Sequence, residues 1–571
     1  MTKRKLTFVL ALWLLCASFF FTNAQQTVSP IVPPTLVPTP QRAINDFVPT
    51  ESVVAKIQRD GNVRVGVLYN EPPFGELTVR GEVRGFDADL ARKMAEAWGV
   101  EVEFIQVTRQ NGIEAITNGS IDLLMAALVH QRSLDSVVEF SQTYRISKQA
   151  MMVRNDDAAE TILNMTNRNI GYVLGTDGER ALANWQLEKG ITLMSQPYLT
   201  LDRAISAMFA GEIDGVVARS EELRRVAADQ VFSAKILEDA VTPEPFAIAF
   251  QRQDVNLRQL INRTLQHLLY NKTMEALYTT YFDGQAFAED ALPMYGSLGE
   301  EAPKPDQFGT DVTFPTQYVL PTMLQNRIVR VAGLFPLAED ASEADRRVHA
   351  LNTQLVEQMA SRWGMSVQLV EGGDVFELLE LGLADIAVGV GFDWGVANRV
   401  DFTQPYMLHG ERLMVEVNSA ITSFNELRGK WVGIMGSDSG AQDRAQAWAD
   451  SINVRVRFYS TFEQDAADAM LQENNADVIY GDSLKLIQHL TANPDTLTLT
   501  DRWYSKQYVG FAVPRNDIDV RLLVDYTLQE MVADGTLQVL LTGVLPPNSE
   551  QPTFVVLPGS SEYFGLQLRR N

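Results

Sequence analysis

The chain repeats itself. Val63-Arg-Val-Gly-Val-Leu-Tyr69 returns as Val329-Arg-Val-Ala-Gly-Leu-Phe335, and Leu90-Ala-Arg-Lys-Met-Ala-Glu-Ala-Trp-Gly99 returns as Leu355-Val-Glu-Gln-Met-Ala-Ser-Arg-Trp-Gly364. Phe140-Ser-Gln-Thr-Tyr144 has its counterpart in Phe402-Thr-Gln-Pro-Tyr406, and Asp214 of Gly211-Glu-Ile-Asp214 has its counterpart in Asp477. Four blocks in one order at a near-constant offset of 262 to 266 residues imply two copies of one unit in the 571-residue chain. Each copy is about 230 residues, long enough for two lobes with separate cores.

Within each copy, strand and helix patterns alternate. Val63 to Leu68 and Val329 to Leu334 are β-branched apolar runs of strand length. Further strands are expected at Val102–Val107, Leu123–Leu128, Val367–Val370 and Ile386–Val390. Leu90, Met94 and Trp98 lie four apart and share one helix face, as do Leu355, Met359 and Trp363. This alternation predicts an α/β fold with mostly parallel sheets covered by helices, and ligands outside the carboxyl ends of strands.

Composition narrows the functions. A net charge of −24 argues against nucleic acid or an anionic membrane surface as partner. The single cysteine, Cys16, and five scattered histidines remove disulfide frameworks, thiolate zinc sites and Cys–His nucleophiles, so no metal and no cofactor is expected. His130 comes nearest to a catalytic position, which leaves an enzyme as the weaker reading.

Lys3, Arg4 and Lys5 precede an apolar run from Leu6 to Phe21 that ends at Thr22-Asn23-Ala24, the pattern of an export signal cut after Ala24. The protein is therefore expected outside the cytoplasm, secreted, periplasmic or at the cell surface. A retained segment would tether it, and membrane contact otherwise comes only through a partner. Prolines at 30, 33, 34, 38 and 40 mark a spacer, and those at 293, 303, 305, 315 and 321 mark a linker. The expected organisation is a signal at 1–24, a spacer at 25–53, a first domain at 54–283, a linker at 284–325, a second domain at 326–543 and a tail at 544–571.

Glu71-Pro-Pro-Phe74, Gly85-Phe-Asp-Ala-Asp-Leu-Ala91, Gly119-Ser-Ile-Asp122, Phe140-Ser-Gln-Thr-Tyr144, Gly175-Thr176 and Gly211-Glu-Ile-Asp214 occur in an order that resembles the family 3 extracellular solute-binding proteins. Phe402-Thr-Gln-Pro-Tyr406, Gly436-Ser437 and Ala476-Asp-Val-Ile-Tyr-Gly-Asp482 carry the resemblance into the second copy. It implies two tandem copies of the type II periplasmic-binding-protein fold. In each, two α/β lobes would close by a hinge on a small polar ligand, an amino acid or related compound, for delivery to an ABC permease. A degenerate sensor or scaffold is the other non-enzymatic reading, and the resemblance of the fold to some dehydratases implies a dehydratase-like enzyme as the weaker one.

In that family a lobe-one arginine takes the ligand carboxylate and a lobe-two aspartate takes the ammonium. Neither copy keeps both. In the first, the arginine position holds Leu134, with Arg132 two residues away, and the aspartate position holds Arg219. A ligand with its anionic end reversed would suit that exchange; a solvated Arg219 in a decayed cleft is the other reading. In the second, the arginine position holds Val396, but Asp482 fills the aspartate position. Asp393 with the aromatic walls Phe335 and Trp394 would suit a cation, unless Arg399 pairs with Asp393. Tyr69 and Phe74 are expected against the ligand, and Thr176 and Ser437 at helix starts that suit an anion. Asp87, Asp89, Asp122 and Asp214 are expected to be structural.

Overall fold

In the computed structural model, the described residues are 51–229, 233–282, 301–315, 318–435, 440–461, 467–545 and 554–568. The expected export signal, nearly all of the expected proline-rich spacer, residues 284–300 of the expected linker, and Gly436-Ser437 lie outside them. All described residues belong to one unit, Phe47–Asn571.

Four larger sheets carry that unit, and they come in two matching pairs. The first is ordered Glu101–Gln106, Asn62–Val67, Leu123–Leu124, Ala249–Gln251, Val138–Phe140. Its counterpart in the second half is ordered Ser366–Leu369, Ile328–Ala332, Ile386–Gly391, Gln507–Pro514, Val400–Phe402. The other pair runs Met194–Tyr198, Asn169–Val173, Gly215–Arg219, Arg145–Arg154, Ala234–Ile236 against Arg457–Thr461, Trp431–Met435, Val478–Asp482, Glu411–Glu416, Leu497–Leu499. The sheets are mixed rather than mostly parallel, because strands reached from the other lobe enter antiparallel. The lobes of the first half are joined where Arg145–Arg154 pairs with Thr242–Phe246, Phe246 opposite Arg145. Met407–His409 pairs with the start of Gln507–Pro514 in the same way.

The apolar stripes behave as their spacing requires. Leu90, Met94 and Trp98 are buried on the helix Phe86–Trp98, and Leu355, Met359 and Trp363 on the helix Glu343–Trp363. Each tryptophan also donates through Nε1 to a buried threonine, Trp98 to Thr264 at 2.7 Å and Trp363 to Thr527 at 2.9 Å. The aspartates are structural too. Asp122 and Asp385 accept from the main-chain N–H of Arg64 and Arg330, and Asp214 and Asp477 from those of Asn169 and Trp431.

The strand expected over Leu123–Leu128 ends at Leu124. Ala127 turns to a φ of 44°, and its N–H goes to the buried carboxylate of Asp87 at 2.6 Å. Gly389 stands at the equivalent point of the second half with a φ of 73°, beside Asn352 in place of Asp87. Burial pushes the Asp87 carboxyl up to about 6, against the Ala127 N–H and the Tyr144 hydroxyl, which lower it. Because the folded value lies above the unfolded one, the native state binds the extra proton. Stability should therefore fall as pH rises from about 4 to about 6, by up to about 1.4 kcal/mol per pH unit for this one group. Asp87→Asn should flatten that part of the curve, read by urea unfolding at pH 5 and pH 7. An unchanged difference between the two pH values would refute it.

The two halves meet through equivalent faces. Arg258 donates to Glu139 of its own half at 2.9 Å and to Asp401 across the seam at 2.6 Å. Arg521 reaches back across the seam to Glu139 at 2.6 Å. The tail lies along this seam: Pro558 O accepts from Arg132 N, and Leu557 N donates to Gln529.

Candidate functional site

The cleft of the first half lies between a lobe-one wall carrying Glu71 and Arg109 and a lobe-two wall carrying Asp177 and Arg219. Glu71 follows the strand Asn62–Val67, and Arg109 follows Glu101–Gln106. Asp177 opens the helix Asp177–Lys189, and Arg219 ends the strand Gly215–Arg219. Glu244 comes from the connecting strand Thr242–Phe246.

Arg219 is neither solvated nor open to an anionic ligand. It is 3 % exposed, and each guanidinium nitrogen meets a carboxylate: Nε meets Glu244 at 2.9 Å, Nη1 meets Glu71 at 2.6 Å and Nη2 meets Asp177 at 3.2 Å. Its guanidinium carbon stands 5.1 Å from the ring centre of Phe246 and 5.8 Å from that of Phe74. Burial works against its charge, but Glu244, Glu71 and Asp177 outweigh burial and raise its pKa. Arg109 bridges the same two walls, to Glu71 at 2.6 Å and to Asp177 at 2.9 Å. Glu222 also faces this cluster, and burial followed by the charge of Glu71 raises its carboxyl. The charge-exchange expectation fails because its positive group is already matched by carboxylates of the chain itself.

The other residues singled out in the first half scatter. Phe74 is buried in the core, edge-on to Phe246 at 5.2 Å, rather than lining an open wall. Tyr69 is half-buried and lies 3.4 Å from Phe104 O through its hydroxyl. Thr176 is exposed and donates to Val173 O at 2.7 Å, while the start of its helix is occupied by Asp177.

Arg132 does not face this cleft. It donates to Glu530 at 2.6 Å, Gln529 at 2.9 Å and Ser560 O at 2.9 Å, and stacks over Tyr526 at 4.7 Å, all in the second half and the tail. Trp394 answers it from the other side, donating to Gln266 at 3.0 Å under Arg263 at 5.4 Å. In both seam contacts the cation comes from the first half and the aromatic ring from the second. His130, stacked on Phe140 and 2.8 Å from Asp135, lines the cavity of about 100 Å³ along this seam rather than a cleft between lobes.

In the second half Asp482 ends the strand Val478–Asp482, at the place Arg219 holds in the first. Its Oδ1 caps the helix Ser483–Ala492 at Leu484 N, and its Oδ2 lies 2.8 Å from Nδ1 of His409 on the connecting strand. Burial alone would raise this carboxyl, but the His409 hydrogen bond and charge hold it below the ordinary range. Across the strand register from Asp482 stands Glu411, which meets the Tyr480 hydroxyl and Arg444. Phe335 is half-buried just after its strand. Asp393 is exposed and caps a short turn at Gly395 N; Arg399 pairs with Glu380 and Asp374 instead. Ser437 lies outside the described residues.

Sequence reasoning missed Glu71, Arg109, Asp177 and Glu244 as partners of Arg219, and His409 and Glu411 beside Asp482. The available signal was placement: each lies at a strand end, a helix start or a connecting strand, where two lobes meet. Among the described residues no group of three or more His, Cys, Asp or Glu is arranged to hold a metal ion, and no helix is long and apolar enough to cross a membrane.

Residues 63–284 match the family model of the bacterial extracellular solute-binding proteins, family 3, over a segment with an α/β fold. The histidine-binding periplasmic protein of Escherichia coli K12 is 24 % identical over 230 residues, 39 % of this chain and 88 % of that protein. The ABC transporter glutamine-binding protein of Bacillus subtilis is 24 % identical over 232 residues, 40 % of this chain and 84 % of that protein. Among solved structures, an ArgBP mutant from T. maritima is 24 % identical with a TM-score of 0.34, covering 40 % of this chain and 98 % of that one.

Proposed function

We propose that the chain is an extracytoplasmic receptor for a small amine-bearing solute, an amino acid or related compound, which it delivers to an ABC importer. In this reading residues 326–543 repeat the solute-binding domain of 54–283, and the segment 1–24 exports the protein. Support comes from the family of residues 63–284, from relatives named for binding histidine and glutamine, and from the matched strand order of the two halves.

The observation that carries the proposal is Asp482. A carboxylate kept ionised at the hinge end of a cleft is an acceptor for an ammonium group; beside the helix cap to Leu484 N, its Oδ2 meets His409, an exchangeable side-chain partner. The equivalent place in the first half is filled by Arg219, so the second cleft is the one that recognises the solute.

A thermal-shift titration of the full chain with amino acids, diamines and small carboxylates tests this. At least one amine-bearing compound is expected to raise the midpoint. Asp482→Ala should weaken that compound by about two orders of magnitude, in line with roughly 2–5 kcal/mol for truncating one partner of a buried charge pair. The lost helix cap should cost about 1 kcal/mol of stability, which leaves the variant folded. A shift that persists in Asp482→Ala, or a response to carboxylates alone, would overturn the assignment.

A further inference from the structure

The geometry points to a first half that carries its own ligand: the Arg219 guanidinium occupies a cation seat built by both lobes, a site whose free ligand class is the alkylguanidinium ion. The seat has the parts such a site needs. Carboxylates approach from three directions, Glu71 from one lobe, Asp177 from the other and Glu244 from the connecting strand, so no lobe alone completes the coordination. Phe246 and Phe74 supply aromatic faces at 5.1 and 5.8 Å. A planar fork with three nitrogens matches this arrangement, and an ammonium of one nitrogen does not.

The consequence is closure without solute. In a two-lobed receptor a ligand holds the lobes together by making contacts that exist only when they are shut. Arg219 is anchored in lobe two and bonds Glu71 of lobe one, and Arg109 of lobe one bonds Asp177 of lobe two, so the shut state is stabilised from within the chain. The first half then serves as a preclosed body against which the second half is built. This proposal rests on the two-lobed fold of the first half and is independent of which solute the second cleft takes.

The test removes the tethered ligand and supplies it free. Arg219→Ala in the full chain deletes an ethylguanidinium beyond Cβ, so millimolar ethylguanidinium is the probe and ethylurea, of similar shape but uncharged, is the control. The variant should melt lower than wild type, and ethylguanidinium should raise its midpoint in a dose-dependent way while leaving wild type unmoved; ethylurea should move neither. No response in the variant, or an equal response in wild type, would overturn the seat. If Arg219→Ala does not fold, Glu71→Gln decides through hydrogen exchange. Loss of the lobe-one carboxylate should speed exchange of the amides of Glu71 and Phe74 and of those at 217–219 together, and unchanged exchange there would overturn the closure.

Discussion

Glu139→Ala is expected to cost the folded chain about 3–5 kcal/mol, the range for breaking a buried ion pair by removing one partner. Glu139 accepts from Arg258 at 2.9 Å and from Arg521 at 2.6 Å, one guanidinium from each half. Without it, Arg258 keeps only Asp401, and Arg521 turns to Asp525, whose carboxyl burial already pushes up to about 6. Two cations would then share less than two full negative charges in a site where Glu139 and Asp401 are 2 % exposed. Urea unfolding at pH 7 measures the loss. Because the four groups span both halves, the variant should also replace one cooperative transition with two. Glu139→Gln keeps an acceptor and the shape, so it should cost less than the alanine. A loss below about 1 kcal/mol would mean that water already solvates the cluster as it does an exposed pair.

Trp363→Ala is the second large effect, about 3–5 kcal/mol for emptying a large buried aromatic site. Trp363 is 1 % exposed and packs among Leu355, Met359, Phe511 and Leu523. Its Nε1 bond to Thr527 is worth far less, so Trp363→Phe separates the contributions: it should recover most of the area and lose about 1 kcal/mol with the hydrogen bond. Trp98→Ala, at the matching place of the first half, should cost a similar amount. Since the two indoles sit in different cores, the double variant should be additive to within about 0.5 kcal/mol. Equilibrium unfolding of the four variants, three single and one double, checks these statements, and a loss under about 1 kcal/mol for Trp363→Ala would contradict the packing argument.

The two predictions differ in how legible their residues were. Trp98 and Trp363 could be placed from the sequence, because four-residue spacing puts Leu, Met and Trp on one helix face and a recurring block marks the same face twice. Glu139 could not. It sits one residue before a recognised block, on a strand whose side chains are all buried, and its charge is explained only by arginines about 120 and 380 residues away. Arg132 and Trp394 show the same limit from the other direction. Their loops matched the ligand-side segments of a solute-binding family, yet both side chains turn outward to the seam and bond glutamines of the opposite half.

The sequence by itself determined what depends on near neighbours along the chain. Strand length, helix face, the positions of structural aspartates and the order of blocks all follow from local spacing and β-branched or apolar composition, and a family resemblance follows from their order. Only the tertiary structure decided which charges meet. Arg219 reads identically in sequence whether it faces water, an anion or carboxylates of its own chain. Packing brings Glu71, Asp177 and Glu244 to it from three separate segments, and once it is buried at 3 % exposure the cost of an unpaired charge leaves no other arrangement.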